Sequence, residues 1–311
     1  MWSYLFKVKH PSLLLIKICG LIFLLSPELM VGQLTLSTHW INEFSKKYDA
    51  KLNIVYNKID TIENKLDIYL PKDTSNILPA LLWFHGGGWR KGTKDSISGQ
   101  LKYYLEKGWV VANIDYRLTD IALAPAAVMD CRCALHWVVK NAQKYHIDIE
   151  KIVLSGTSAG GHLALITGML PERNSLDTIC SNDLKYRIAA IINWYGITDV
   201  GDLLSGTNRK GYAVKWLGDQ SNHDEIAKQV SPLTYVRKDL PPIFSVHGDA
   251  DTTVPYTHAV RLHKALSDSG VPNRMITISG GRHGKFSEKE NDDIYKAIDE
   301  FLIENNIERK K

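Results

Sequence analysis

The stretch Gly156-Thr157-Ser158-Ala159-Gly160 has residue types and spacing that could do chemistry. It follows an apolar run, Lys151 to Ser155, and leads into Gly161-His162-Leu163-Ala164-Leu165-Ile166, which reads as a helix. A G-x-S-x-G between a strand and a helix holds its serine at the tip of a sharp, strained turn, with the hydroxyl pushed clear of the sheet. Glycines at 156 and 160 leave room where strand and helix crowd together. The same five residues could also form a Ser/Gly turn without chemistry, so the decision rests on what else the chain supplies.

Three further motifs supply what a nucleophilic serine needs. His85-Gly86-Gly87-Gly88-Trp89 follows a buried apolar run, Pro79 to Phe84. Acyl transfer builds negative charge on a carbonyl oxygen, and N–H groups in a glycine loop can approach it closely. The expected donors are Gly87 or Gly88 together with Ala159, the residue after the serine. His247-Gly248-Asp249-Ala250-Asp251-Thr252-Thr253-Val254-Pro255 offers two carboxylates. The spacing H-G-x-x-D-x-x-V-P selects Asp251 to orient a histidine, and Asp249 reads as a loop cap. Gly280-Gly281-Arg282-His283-Gly284 follows the last strand and makes His283 the general base. Of the other histidines, His136 and His263 fall within helices, while His85 and His247 read as supports of their own loops. Ser158, Asp251 and His283 stand in the chain order Ser…Asp…His of α/β-hydrolases.

These loops need a frame, and the chain has the pattern of one. The antiparallel hairpin reads as Ile54–Tyr56 and Leu66–Pro71, from period-two alternation. Continuous apolar runs at 79–85, 109–116, 151–155, 188–194, 242–247 and 274–278 read as strands buried on both faces. Helices are expected over 98–107, 125–145, 159–170, 256–269 and 292–305. Such alternation implies an α/β fold, a mostly parallel sheet with helices on both faces. Residues 33–311 read as a single domain, with 198–230 as a cap-like insertion or part of a substrate wall, and 35–51 as a lead-in that packs on the body.

The first 32 residues are of another kind. Lys7, Lys9 and His10 precede an apolar run, Leu13 to Leu25, broken only by Lys17. This is the layout of a secretory signal peptide, with cleavage expected near Gly32 and an uncleaved membrane anchor as the alternative. Its removal would lower the net charge from +4 to +2, through loss of Lys7, Lys9, Lys17 and Glu28. A secreted or periplasmic protein is the expectation. The chain is 44% hydrophobic and 23% charged, as globular proteins are, and has no basic stripe with interleaved aromatics, so no nucleic-acid partner is expected. Of four cysteines, Cys19 lies in the leader. Cys131 and Cys133, two apart on an expected helix, point to different sides and are not a metal pair. Cys131, Cys133 and Cys180 are expected as three thiols, with a bridge from one of the first two to Cys180 as the alternative in an oxidising compartment.

Taken together, His85–Trp89, Asp115-Tyr116-Arg117-Leu118, Pro125-Ala126-Ala127 with Asp130, Gly156–His162, and Asp251 with Val254-Pro255 resemble α/β-hydrolase esterases. The group most resembled is the bacterial feruloyl/acetyl-xylan esterase-like (BD-FAE) group, which borders the hormone-sensitive-lipase-like carboxylesterases. The resemblance covers residues 50 to 305 and implies a serine esterase without cofactor or metal. It also implies that Asp115, Tyr116, Arg117 and Asp130 support the loop around the oxyanion. The D-P-L-x-D-E run of many lipase-like esterases is absent, which leaves the substrate open. Trp89, Trp194, Tyr195 and Tyr256 are the expected aromatic walls, and a short acyl, aryl or polysaccharide ester the expected substrate. An aryl-formamidase-type amidase, a peptidase and a non-catalytic hydrolase-fold binding module are the competing readings.

Overall fold

Two adjoining stretches with alternating side chains open the sheet. Strand β1 (Tyr48–Ile59) folds back on β2 (Ile62–Pro71) as an antiparallel hairpin. Both strands are longer than the alternation alone predicts, and Tyr48 to Lys51 belong to β1 rather than to a lead-in. The computed structural model describes residues 43–72, 76–95, 99–172, 174–180 and 184–308. The expected leader and its cleavage point lie outside the described residues, as do 35–42 of the lead-in and Ser98 of the first expected helix. Residues Lys47–Lys311 form one compact unit.

The apolar runs become the parallel part of the sheet. They are β3 (Leu78–Phe84), β4 (Val110–Ile114), β5 (Ile147–Thr157), β6 (Ile188–Trp194), β7 (Ile243–Gly248) and β8 (Asn273–Ile278). The spatial order is β1-β2-β4-β3-β5-β6-β7-β8. One expectation of burial is corrected: β8 is the edge strand, and only its Ile278 is buried. Every pair from β4 onward is parallel, and only β1, β2 and β4 pair antiparallel. All five residues of β4 are buried, which explains why it reads as unbroken apolar sequence rather than alternation. Between strands run α1 (Gly99–Glu106), α2 (Ala126–Lys140), α3 (Ala159–Met169), α4 (Gly211–Leu217), α5 (His223–Gln229) and α6 (Thr257–Asp268), and α7 (Glu288–Glu304) follows β8. The fold is the mostly parallel α/β sheet that the alternation predicts.

Helix ends account for the differences from expectation. The helix expected over 125–145 stops at Lys140 and resumes as a 3₁₀ turn at Gln143–Tyr145, after which His146 takes a left-handed conformation. The closing helix begins four residues earlier than expected. Ser287 accepts the Glu290 N–H, and the Glu290 carboxylate accepts the Ser287 N–H, a capping box legible in Ser287-Glu288-Lys289-Glu290.

The expectation of three thiols is overturned. Cys133 on α2 is bonded to Cys180, with Cα atoms 5.4 Å apart, and Cys131 alone remains a free thiol, buried in the core. Cys133 faces the segment after α3, and Cys131, two residues back, faces inward. Beside the bridge, the buried Arg132 guanidinium donates to both oxygens of Asp177, so covalent bond and ion pair hold the same segment onto α2.

Three buried histidines bear on stability. Burial holds His162 down to about 4 and also lowers His136 and His258 below the usual histidine range. An unfolded histidine takes up a proton near pH 6.5, whereas these do not until lower pH. The unfolded state therefore binds more protons in that window, and folding stability falls as pH drops from about 6.5 towards 4, by up to about 1.4 kcal/mol per pH unit for each such histidine. Urea midpoints measured at steps through this window should fall with a slope of more than one proton; a flat profile would contradict the burial of these imidazoles. Reduction of Cys133–Cys180, which closes a loop with a sequence separation of 47, should cost about 4 kcal/mol on the chain-entropy account. A melting temperature indifferent to reductant would rule out the bridge as a constraint.

Candidate active site

The motifs sit at the carboxyl ends of four parallel strands, where open α/β sheets bind ligands. Register aligns them: Phe84 of β3 lies opposite Gly156 of β5, which lies opposite Asn193 of β6. The glycine-rich loop leaves β3, the serine turn leaves β5, the acid loop leaves β7 and the histidine loop leaves β8.

Ser158 joins β5 to α3 with φ 55° and ψ −119°, a conformation that a residue with a side chain rarely adopts and that costs on the order of 1–3 kcal/mol. The surroundings impose it. A Cβ at Gly156 or Gly160 would overlap the carbonyl oxygen of Phe84, so strand and helix approach β3 as closely as bare backbone allows. The Ser158 N–H donates to the Trp194 carbonyl at 2.9 Å, fixing the turn from the other side.

The structure brings the three expected polar residues together. His283 Nδ1 lies 2.6 Å from Asp251 Oδ2, and His283 Nε2 lies 2.8 Å from Ser158 Oγ. With the carboxylate accepting at Nδ1–H, Nε2 is left as an acceptor for the serine hydroxyl. Asp251 is buried and its other oxygen, Oδ1, accepts the Thr253 and Val254 N–H groups at 2.7 and 3.0 Å. Burial acts to raise its pKa, but hydrogen bonds from His247, His283 and Val254 outweigh it and hold the carboxyl well below the usual carboxylate range. His247, fully buried, donates from Nε2 to the Val254 carbonyl at 3.1 Å and stands 3.3 Å from Asp251 Oδ2. Asp249 is exposed and accepts the Gly280 N–H at 2.6 Å, the loop role that its position suggests.

The glycine loop is shaped by positive φ at three successive residues, Gly87 (119°), Gly88 (62°) and Trp89 (58°). A Cβ at Gly87 would overlap the Lys91 carbonyl, so only glycine fits there. The Gly87 carbonyl accepts the N–H groups of Arg90 and Lys91 at 3.2 and 3.3 Å and closes the turn. Behind it, Tyr116 stacks on His85 with ring centroids 4.3 Å apart and donates to the His85 carbonyl at 2.8 Å. Arg117 forks onto Asp130 at 2.8 Å.

A cavity of about 710 Å³ opens above these groups, lined by Gly87, Gly88, Ser158, His283, Tyr195 and Tyr212 among others. Ala159 is buried and takes the first position of α3, directly after the serine. The aromatic expectations divide. Tyr195 is in the wall, with its ring edge-on to His283 at 4.7 Å. Trp89 and Trp194 are fully buried and reach no part of the cavity, which corrects their assignment as substrate contacts. Trp89 instead stacks on Trp216 of α4 at 4.0 Å and donates from Nε1 to His162 Nδ1 at 3.2 Å. His162, acceptor at Nδ1, is thereby the Nε2–H tautomer and donates to the Val230 carbonyl at 2.7 Å. Trp194 packs near Tyr295. Tyr256 lies outside the cavity lining and hydrogen bonds Thr277 at 2.7 Å. The 198–230 insertion does form part of the wall, through Tyr212, whose hydroxyl donates to the Thr253 carbonyl at 3.0 Å. Arg90, Lys91 and Thr253 also line the cavity and were not among the expected site residues. The only hint was the position of the two cations directly after His85–Trp89. Among the described residues, no group of three or more His, Cys, Asp or Glu side chains is arranged to hold a metal ion.

The chain is similar to known esterases in sequence and in fold. The BD-FAE family model matches residues 66–266. Esterase LipC of Mycobacterium tuberculosis is 27% identical over 251 residues, covering 77% of this chain and 60% of that protein. Isoprenylcysteine alpha-carbonyl methylesterase ICME of Arabidopsis thaliana is 26% identical over 252 residues, covering 77% of this chain and 57% of the relative. The chain thus spans somewhat under two thirds of the length of these curated relatives. Among solved structures, Thermogutta terrifontis esterase 2 phosphonylated by sarin superposes with a TM-score of 0.72 at 29% identity, covering 85% of this chain and 97% of the other. A truncated carbohydrate esterase from gut microbiota gives a TM-score of 0.69 at 26% identity, covering 82% and 96%. With the family model spanning well over half of its length and the serine turn, glycine loop, acid and histidine in one site, this chain belongs to the BD-FAE family of α/β-hydrolases.

Proposed function

We propose that this chain is a serine carboxylic-ester hydrolase that works through an acyl-enzyme. The observation that carries the reading is the hydrogen-bonded line Ser158–His283–Asp251, which opens into the cavity beside Gly87 and Gly88. His283 takes the Ser158 proton as the oxygen attacks the ester carbonyl. Asp251, held ionised, keeps the imidazole in the Nδ1–H tautomer and balances the positive charge that forms on it. The N–H groups of Ala159 and of Gly87 or Gly88 serve the developing oxyanion, helped by the positive end of α3. His283 then protonates the departing alcohol, and water, activated by the same imidazole, releases the acid.

The esterase names of the relatives favour ester over amide chemistry, and the carbohydrate esterase among the structural neighbours favours a saccharide-borne acyl group. Short acyl or aryl esters, acetyl and feruloyl groups of polysaccharide included, are the proposed substrates. Export from the cytoplasm is proposed with them, on the leader-like residues 1–32 and the Cys133–Cys180 bridge. If the leader is removed, Cys19 goes with it. Denatured, unreduced protein from culture medium or periplasm should then label at one thiol, Cys131; four reactive thiols on an intact chain would count against export.

Ser158→Ala should lower kcat on p-nitrophenyl acetate by at least about 10³-fold, and Asp251→Asn by about 10³–10⁴-fold. Asp249→Asn should stay close to the parent. A fluorophosphonate probe should label the parent at Ser158, just as Thermogutta terrifontis esterase 2 is phosphonylated by sarin. Folded protein that takes up no probe and hydrolyses no ester would instead be a binding module.

A further inference from the structure

The active-site cavity is electrostatically one-sided. Two side chains in its lining carry positive charge, Arg90 and Lys91, and no lining residue carries negative charge. The Asp251 carboxylate has a buried side chain and is engaged by His283 and two backbone N–H groups. Both cations are exposed and neither takes part in an ion pair among the described residues. A third cation adjoins the wall: Lys210, leading into α4, donates from Nζ to the Thr252 carbonyl at 2.8 Å, next to Thr253 of the lining.

The two cations are also anchored relative to the reacting atoms. Their N–H groups both donate to the Gly87 carbonyl, in the turn that orients Gly87 and Gly88. Trp89, immediately before them, is locked between Trp216 and His162. Their Cα positions therefore cannot drift without displacing the oxyanion loop. A guanidinium and an ammonium on a rigid base, next to an ester-sized space and with no competing carboxylate, form a receptor for an anionic oxygen group. Tyr195 and Tyr212 belong to the same lining, and the Tyr212 hydroxyl already donates to the Thr253 carbonyl. The permanently charged donors of the lining are therefore Arg90 and Lys91.

We propose that Arg90 and Lys91 make this enzyme select esters whose acyl or alcohol part carries a carboxylate, such as a hemiester of a dicarboxylic acid or an O-acylated acidic saccharide. The inference rests on the ester-hydrolase reading above. It assigns the cations to specificity: they hold the remote carboxylate while Ser158, His283 and Asp251 do the chemistry.

The test compares matched esters within each protein. The alcohol-side pair is p-acetoxybenzoate against its methyl ester; the acyl-side pair is phenyl hydrogen glutarate against phenyl methyl glutarate. The parent should prefer the anionic member of at least one pair in kcat/KM, and the pair that shows it identifies which side of the ester the cations read. Arg90→Gln with Lys91→Gln should lower the anionic-to-neutral ratio about tenfold, equivalent to about 1.4 kcal/mol. Arg90→Lys with Lys91→Arg should keep it, and Arg90→Glu with Lys91→Glu should invert it. Raising salt from about 20 mM to about 0.5 M should compress the parent's ratio, because the cavity is open to screening ions. Each ratio is internal to one protein, so partial misfolding cancels, and the salt comparison needs no variant. Neutral esters hydrolysed at ratios indifferent to charge, reversal and salt would overturn the proposal and leave the esterase reading intact. A parent that hydrolyses none of the four esters would remove the esterase reading, and this one with it.

Discussion

The contact on which the site depends is between bare backbone and backbone. The Phe84 carbonyl at the end of β3 lies where side chains at Gly156 and Gly160 would have to be. That approach presses the β5–α3 turn against the strand from which the glycine loop departs. Ser158 is driven into its left-handed conformation by this crowding and held by the Trp194 carbonyl. Because Phe84 continues directly into His85–Trp89, the nucleophile and the proposed oxyanion donors share one rigid junction. The strain at Ser158 is of a size that a largely buried sheet core can carry, since unfolding the turn means exposing the buried ends of β3 and β5 as well.

Around that junction several buried polar groups support one another. Asp251 receives His283, His247 and two backbone N–H groups, and stays charged despite burial. His85 is flanked by Tyr116 and His162 by Trp89, each through a ring contact and a hydrogen bond. Neutral imidazoles can join such networks as donor and acceptor at once, without the desolvation cost of a charge. The site accordingly leaves one histidine, His283, against Ser158 and uses others as polar struts.

Much of this was legible in sequence because it is written in local motifs. Gly156–Gly160, His85–Trp89 and Gly280–Gly284 each place their special residue by backbone geometry, which neighbouring glycines reveal. Asp251 was separable from Asp249 by spacing, and the structure gives one the histidine and the other the Gly280 N–H. The parallel strands were legible because burial on both faces leaves continuous apolar runs. What failed depends on contacts between segments distant in sequence. Trp89 and Trp194 adjoin functional motifs, yet their rings turn inward, towards Trp216 and Tyr295 respectively. Adjacency in sequence says which loop a residue is on, not which side of the loop it faces. The Cys133–Cys180 pairing likewise depends on how the segment after α3 returns to α2, which no local pattern records.

The Trp89–Trp216 stack joins the insertion to the glycine loop. Trp216 belongs to α4, one turn from Tyr212 of the cavity wall, while Trp89 ends the loop expected to meet the oxyanion. The cavity wall and the loop proposed to meet the oxyanion therefore rest on a common aromatic footing. Remodelling α4 would tilt that footing and move the proposed oxyanion donors with it. The shape of the cavity and the placement of those donors are mechanically linked, and redesign of one has to begin by reinforcing the other.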